Sequence, residues 1–580
     1  MNSPSLAGLL VSTAVFLSAA TPHETLVSLL EQNWQHQLRA RPEMATAIGD
    51  NRYNDLLSDS SPAAIARELE YSQKLLAALQ AIDPAALSVE DRLNQSLIER
   101  SLKTDIGGAR FKDWEMPATQ MWGPHLEYAG LAKEMPFKTV HDYQNYLSRL
   151  RKLPTVLQQA IANMRLGMRD GLMPPRYLLA KVAEEAADVA ATPLAKSLFA
   201  EPIRNFPAAI GGKERARLTK EIHETVSRQV LPAFATFAKF VKDEYEPQGS
   251  AEFGVWSLPD GDARYRQHIV EMTTTTSDPA DLHELGLKQV AEIETQMLAI
   301  AAQQGFKDLK SFNAHIFAER KLHGTSGEQI LGLYQKYTNQ MYAKLPQYFG
   351  RLPKNKLVVV PMEAYRAPHE VPADYSIGAG DGSRPGRINV NEFEPAKRLL
   401  LNVEAIAYHE GIPGHHLQFS IAQELTDLPP FRKFASYNAF SEGWALYSET
   451  LAHEMGSYQE PYSEYGRLQN LMWRSIRLVV DTGVHSKHWS RQQMIDFFHQ
   501  HSAMDDQNIE TEVDRYIAWP AQALSYKLGE MAILRLRERA RQQLRGRFDI
   551  RAFHDAVLNG GPLPLDVLEA RVAQWITSVK

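Results

Sequence analysis

The chain has 580 residues, of which 44% are hydrophobic and 23% are charged, and its formal net charge is −6. This composition is typical of a globular protein with a large buried core, and the small negative charge argues against binding to nucleic acid. The sequence contains no cysteine, which excludes disulfides, cysteine nucleophiles, thiolate metal sites and a lipid-modified N-terminal cysteine. Any metal would therefore be bound by His, Asp and Glu.

The N-terminus contains an apolar run from Leu6 to Leu17, which has the length of a signal-peptide core and is too short to span a membrane. Ser18 and Ala20 are small residues where a signal peptidase cleaves, so residues 1–20 are predicted to be a signal peptide. Residues 2–6 contain no Lys or Arg, and an ordinary apolar helix is the alternative. The prediction is an exported protein, periplasmic or secreted, with no membrane span.

Most of the chain after the N-terminus has apolar residues at helical spacing. In the helical N-terminal part, residues 21–350, the clearest predicted helices are 62–82, 139–167, 214–246, 282–304 and 326–347. Asp278, followed by Pro279 and Asp281, predicts a capped helix start. No repeat or long linker divides the chain, so this part and a helical catalytic part, residues 351–580, are predicted to form one continuous domain.

Residues 357–391 interrupt the helical pattern. The segments LVVV and RINVN have strand character, and the glycines and prolines between them favour loops. We expect a small β-hairpin or sheet just before the histidine cluster described below. It either provides an edge strand for a peptide substrate or closes the core as a structural hairpin.

The C-terminal third returns to helical spacing. Its predicted helices are 396–409, 414–427, 440–455, 464–480, 490–500 and 519–543. The segment HEGIPGHHLQ, from His409 to Gln418, lies at the junction of the first two. On a straight helix His409 and His416 would be about 10 Å apart along the axis, and His409 and His415 would point about 120° apart, so neither pair could share a metal ion. Pro413 and its flanking glycines favour a kink or π-bulge that would bring a later histidine back beside His409.

A third ligand is expected from the helix that contains AFSEGWALYSETL. Glu442 follows the histidines by one helix and a turn, which gives two histidines on one helix and a glutamate on the next. Glu410 would then be the general base of a hydrolytic reaction. The alternative is that the histidines only cap or solvate a turn.

HEGIPGHHLQ followed by FSEGWALYSETL resembles the bacterial DUF885 family of unknown function, which is marked by H-E-x-x-P-G-H-H and E-G-W. Stretches such as RPEMATAIGDNRYND, SRPGRINVN and YIAWPAQALSYKLGE extend the resemblance over nearly the whole mature chain. That family is grouped with helical zinc metallopeptidases of the gluzincin type. The resemblance implies a mainly α, zincin-like fold with a deep cleft, Zn²⁺ as cofactor, and hydrolysis of peptide bonds. Its motif positions are His409, Glu410, His415, His416 and Glu442. We favour His415 over His416 as ligand, because it requires the smaller insertion relative to H-E-x-x-H.

Supporting residues are expected on later segments. Tyr526, Tyr516 and His485 are candidate oxyanion donors, with a core aromatic or a satisfied histidine as the alternative. Four arginines are candidates to bind a substrate carboxylate, with structural ion pairing as the alternative: Arg384, Arg387, Arg477 and Arg515. Asp481 and Glu449 are candidates to orient a ligating histidine.

These patterns together predict a zinc-dependent metallopeptidase that acts on short peptides, with the oligomeric state left open. One alternative is a metal-dependent amidase or deacylase that acts on a non-peptide amide. A second alternative is a non-catalytic helical peptide-binding protein.

Overall fold

The computed structural model describes residues 20–362, 367, 371–380, 382 and 384–580. The predicted signal peptide lies outside these residues, except for Ala20. The α-helices of the described part are, in chain order, α1 (Pro22–Ala40), α2 (Pro42–Ala47), α3 (Pro62–Gln80), α4 (Val89–Gly108), α5 (Pro124–Glu127), α6 (Val140–Asp170), α7 (Arg176–Ala191), α8 (Gly212–Thr225), α9 (Leu231–Phe240), α10 (Gly261–Thr273), α11 (Pro279–Gln303), α12 (Leu309–Ala318), α13 (Gly327–Tyr342), α14 (Leu345–Tyr348), α15 (Val403–Glu410), α16 (His415–Glu424), α17 (Pro430–Lys433), α18 (Asn438–Glu454), α19 (Pro461–Ser486), α20 (Arg491–His501), α21 (Asp506–Ala518), α22 (Ser525–Leu544), α23 (Ile550–Leu558) and α24 (Leu565–Val579).

The prediction of a mainly α fold with a small sheet is confirmed. The side chain of Asp278 accepts a hydrogen bond from the backbone N–H of Ala280, and so caps α11 as expected. Two predicted helices begin later than their apolar spacing suggested. A 3₁₀ turn at Pro395–Lys397 precedes α15, and a second one at Gln522–Leu524 precedes α22.

The sheet has three strands, β1 (Leu357–Pro361), β2 (Ala373–Ser376) and β3 (Gly386–Val390), in the order β1-β3-β2. The two strands that the sequence indicated, β1 and β3, pair in parallel, and β2 pairs antiparallel with β3. The two indicated strands therefore do not form a hairpin with each other, because a parallel pair needs a crossover connection, and the short strand β2 lies within that connection. β2 forms one edge of the sheet and packs beside α15.

The hydrophobic core joins the two halves of the chain. One cluster packs Leu97 and Met341 from the N-terminal part against Trp444 and Ile533 from the C-terminal part. The long helix α11 of the N-terminal part also packs against the long helix α19 of the C-terminal part. None of the helices in the described ranges combines the length and the apolarity that crossing a membrane requires.

Candidate metal centre

The histidine segment breaks its helix in two. α15 ends at Glu410 and α16 begins at His415, and the peptide bond between Ile412 and Pro413 is cis. The N–H of Gly414 donates to the carbonyl oxygen of Tyr408 at 3.0 Å. A Cβ at Gly414 would lie 2.0 Å from the carbonyl oxygen of His409, so only glycine fits this turn. The expected kink or π-bulge is thus replaced by a complete break.

The break brings His415 beside His409, with their ring centroids 5.0 Å apart and their planes nearly perpendicular at 88°. Glu442, on α18, completes the cluster. Its Oε2 lies 3.6 Å from Nε2 of His409 and 3.4 Å from Nε2 of His415, and the three potential ligand atoms all lie within 4.8 Å of one another. Two ligands of one tetrahedral zinc ion are about 3.3 Å apart, so the two nitrogens and the carboxylate oxygen fit a shared zinc ion.

Each residue of the Glu-Gly-Trp segment on α18 has a different partner. Glu442 contacts the histidines, whereas Gly443 faces Gly529 of α22 so closely that a Cβ would lie 2.4 Å from the Gly529 backbone. The indole N–H of Trp444 donates to the carbonyl oxygen of Pro413 at 2.9 Å. The sequence analysis used only Glu442. Gly443 and Gly529 each lie inside a long helix, and this was the sequence signal from which the close contact between α18 and α22 could have been predicted.

Glu449 lies two turns after Glu442 on the same helix and contacts the other side of His409. Its Oε1 is 2.8 Å from Nδ1 of His409, and Asn470 donates to its Oε2 at 3.4 Å. Because Nδ1 is engaged by this carboxylate, Nε2 is the ring nitrogen that faces Glu442. Asp481 accepts instead from the hydroxyl of Tyr265 and the N–H of Ala521, and so does not orient a ligating histidine.

The charges of the cluster depend on burial and on close pairing. Burial by itself would lower the pKa of His409, but its contacts with Glu442 and Glu449 outweigh burial and raise that pKa to about 10. Burial opposes ionisation of Glu442, yet both histidines hold its pKa well below the usual value. Burial raises the pKa of Glu410, and the neighbouring His409 and His415 only partly offset this. A half-buried carboxylate with a raised pKa beside this cluster is suited to take a proton.

His416 lies outside the cluster. Its Nε2 donates to the carbonyl oxygen of Asn355 at 3.1 Å, so its Nδ1 accepts from the hydroxyl of Tyr375 at 3.0 Å. Burial lowers the pKa of His416 to about 4, and the ring is therefore neutral. The interpretation of His416 as a metal ligand does not fit this geometry, because both ring nitrogens tie α16 to β2 and to the segment before β1.

The candidate oxyanion donors are placed differently from one another. Tyr526 stacks near His409, with ring centroids 6.4 Å apart, and its hydroxyl accepts from Arg515 at 3.0 Å. His485 is fully buried; its Nδ1 accepts from Val255 and its Nε2 donates to the carbonyl of Tyr516, so it has no N–H left for a substrate.

Tyr516 is committed to the protein interior as well. Its hydroxyl donates to Glu512 at 2.5 Å and accepts from Trp473 and from Arg477, each at 2.9 Å. Of the proposed donors, only Tyr526 adjoins the cluster of His409, His415 and Glu442.

The four arginines also separate into groups. Arg384 pairs with Glu134 and with the carbonyl oxygen of Ala47, and so ties the segment before β3 to the N-terminal part. Arg387 lies in β3 opposite Ser376, and its buried Nε has no hydrogen-bond partner in the described structure. Arg477 and Arg515 lie close to Tyr526.

Comparison with known proteins gives a family and a fold. A family model described as "Bacterial protein of unknown function (DUF885)" matches residues 42–572. A crystal structure of a candidate lipoprotein from Colwellia psychrerythraea is 26% identical, with a TM-score of 0.91, covering 96% of this chain and 100% of that chain. A candidate lipoprotein of unknown function from Shewanella oneidensis is 18% identical, with a TM-score of 0.72, covering 95% and 99%, and shows the fold alone. None of the curated proteins compared with the chain matches it.

Proposed function

The chain belongs to the bacterial DUF885 family of unknown function, and from its own site we propose that it is a zinc-dependent metallopeptidase acting on short peptides. The observation that carries this proposal is the convergence of His409, His415 and Glu442 beside Glu410. Two histidines and a carboxylate are the ligand set of many catalytic zinc sites, which keep one further position open. A structural zinc site would instead be closed by a fourth protein ligand.

His409, His415 and Glu442 would hold the zinc ion. Zinc bound there would supply Lewis acidity at an open coordination position. Glu410 takes a proton from the attacking water while the water oxygen forms a bond to the scissile carbonyl carbon. The same carboxyl group then gives that proton to the amide nitrogen as the C–N bond breaks.

Tyr526 is the proposed donor to the oxyanion. Its hydroxyl accepts hydrogen bonds from Arg515 and Gln522 and has no acceptor among the described residues. Its own proton is therefore free to donate to the negatively charged oxygen of the tetrahedral intermediate.

The test combines metal analysis with Glu410→Gln. We expect one zinc ion per chain in both wild-type and variant protein, and a loss of about 100- to 10,000-fold in peptide hydrolysis in the variant, because only the proton acceptor is removed. The exposed Glu538 of α22 gives the matched control, Glu538→Gln. Undiminished hydrolysis by Glu410→Gln, or a stoichiometry near zero at neutral pH, would reject the proposal. Cleavage of small acyl amides but of no peptide would favour an amidase.

We also propose that the protein is exported. The apolar run from Leu6 to Leu17 supports this, as does the similar structure from Colwellia psychrerythraea, which is described as a candidate lipoprotein.

A further inference from the structure

Three arginines surround Tyr526 next to the metal cluster. The guanidinium carbons of Arg477 and Arg474 lie 4.3 Å and 6.0 Å from the centre of the Tyr526 ring, and Arg515 donates to its hydroxyl. The Tyr526 ring is itself 6.4 Å from the ring of His409. The positive charge of this arginine cluster therefore begins one aromatic ring away from the candidate zinc site.

The arginine cluster has more positive than negative charge. Within the described structure, its ion-pair partners are Glu512, at 3.0 Å from Arg477 and 3.7 Å from Arg515, and Glu449, at 3.9 Å from Arg474. Glu449 already accepts the closer hydrogen bond of His409. Arginine stays charged in proteins, so three cations share two carboxylates, one of which is committed elsewhere.

Unused donors accompany this excess charge. Nε of Arg474, Nη1 of Arg477 and Nε of Arg515 are buried without a hydrogen-bond partner. Buried cations with unmet donors are costly unless an anion pairs with them. A substrate that brings its own carboxylate would supply that anion.

Arg515 is the member of the cluster that a substrate can reach. Its side chain is 16% exposed, against 6% for Arg474 and 2% for Arg477. Arg477 donates hydrogen bonds to Glu512 and Tyr516 and is therefore fixed in the protein interior behind Arg515. Arg515 donates to the hydroxyl of Tyr526, whose ring lies 6.4 Å from that of His409, so a carboxylate at Arg515 would lie within a few residues of a bond cleaved at the candidate zinc site.

We propose that Arg515, supported by Arg474 and Arg477, binds the C-terminal carboxylate of the peptide substrate. This inference rests on the proposed function and makes the enzyme a carboxypeptidase. Water is added across the last or the second-last peptide bond; the shortened peptide gains the new carboxylate, and one amino acid or a dipeptide leaves with the new amine.

Binding to full-length Glu410→Gln protein tests the proposal without turnover. The probes are trialanine, trialanine amide, and the amide of Ala-Ala-Glu, measured by titration calorimetry with and without added zinc. We expect trialanine to bind at least about 10-fold more tightly than either amide, because only it offers a terminal carboxylate to a charged donor. Absence of this preference overturns the proposal. So does equally tight binding of the glutamate-containing amide, which would assign the site to a side-chain carboxylate.

Variants in the same background locate the preference. Arg515→Gln should bind trialanine and its amide alike, whereas Arg535→Gln, at an exposed position on α22, should keep the difference. If Arg515→Gln does not fold, Arg515→Met replaces it, since it keeps an apolar stem of similar length but removes the guanidinium. A preference that persists in whichever of the two variants folds overturns the role of Arg515.

The two proposals fail in different ways. Wild-type protein that cleaves peptides but binds acid and amide equally keeps the peptidase function and loses the carboxylate site. Protein without zinc or hydrolysis, but with an acid preference that Arg515→Gln abolishes, keeps the carboxylate site and loses the peptidase function.

Discussion

The two adjacent histidines at 415 and 416 have opposite environments. His415 faces Glu442 through Nε2, and its ring centroid lies 5.6 Å from that of Phe419 and 6.4 Å from that of Tyr375. His416 points away and uses both ring nitrogens for hydrogen bonds with the protein. Successive positions on a helix differ by about 100° in direction, so at most one of the pair can face the cluster.

Substitution of each histidine should therefore have a different effect. We expect His415→Gln to abolish stoichiometric zinc binding. His416→Gln should retain zinc but lose about 1–3 kcal/mol of stability, because two buried polar partners lose their hydrogen bonds. Metal analysis and urea unfolding of the two variants check this. Zinc loss in His416→Gln protein that is still folded would reverse the assignment.

The sequence predicted part of the residue-level site. His409, Glu410 and Glu442 were indicated by residue type and by a spacing of one helix. The choice between His415 and His416 depends on the backbone path through Gly411–Gly414, which spacing alone does not determine. His485 was expected near the substrate, but its buried contacts with Val255 and Tyr516 come from distant parts of the chain.

At the scale of elements, the position of Glu442 depends on how closely α18 approaches α22. Gly443 and Gly529 allow the two backbones to touch, and Lys527 and Thr450 both bond to Glu530 beside that contact. The helices α15 and α18 also pack against each other, so α18 fixes the carboxylate relative to the histidines.

Gly443→Ala should disturb this arrangement. The added methyl would lie 2.4 Å from the Gly529 backbone, so the helices must separate, at a cost of about 1–3 kcal/mol in the free energy of unfolding. Gly332→Ala on α13 is the control, because it meets no atom within 4 Å and should stabilise by up to about 1 kcal/mol through helix propensity. Equal melting temperatures for the two variants would contradict the close helix contact.

Elements were easiest to predict where local signals agreed. α11 combined strong apolar spacing with a cap at Asp278, and it forms where expected. β2 was missed because ADYS is only four residues long and becomes a strand through its pairing with β3. The parallel pairing of β1 with β3 was also inaccessible, since a strand pattern does not reveal its partner.

At the scale of the whole molecule, buried neutral histidines join distant segments. His485 links α19 to Val255 and α21, and His554 links α23 to Tyr348 and to Tyr447. Burial lowers the pKa of each ring to about 3. Burial shifts the pKa of Asp481 in the other direction and raises it to about 7. The buried carboxyl of Asp481 therefore stabilises the fold at low pH, whereas the buried histidines destabilise it there.

These shifts give a pH dependence with a defined sign. A depressed folded-state pKa means that the unfolded chain gains protons first, so the stability contributed by His554 is complete above about pH 6.5 and is lost toward its folded pKa. Between pH 7 and pH 5 this loss is about 2 kcal/mol. His554→Gln should therefore lose less stability on acidification than wild type, and Asp481→Asn should lose more. Urea unfolding at both pH values, with the exposed His141→Gln as control, measures this. Parallel pH profiles would contradict the assignment.

The three different contacts of Glu442, Gly443 and Trp444 have an evolutionary consequence. Of the three, the glutamate contacts the two histidines, whereas the glycine and the tryptophan hold α22 and the turn at Pro413 in place. Selection on chemistry and selection on folding thus act on neighbouring codons independently. Under the proposed function, a relative without catalysis is expected to retain Gly-Trp while its glutamate position drifts, so this tripeptide would separate active relatives from inactive ones.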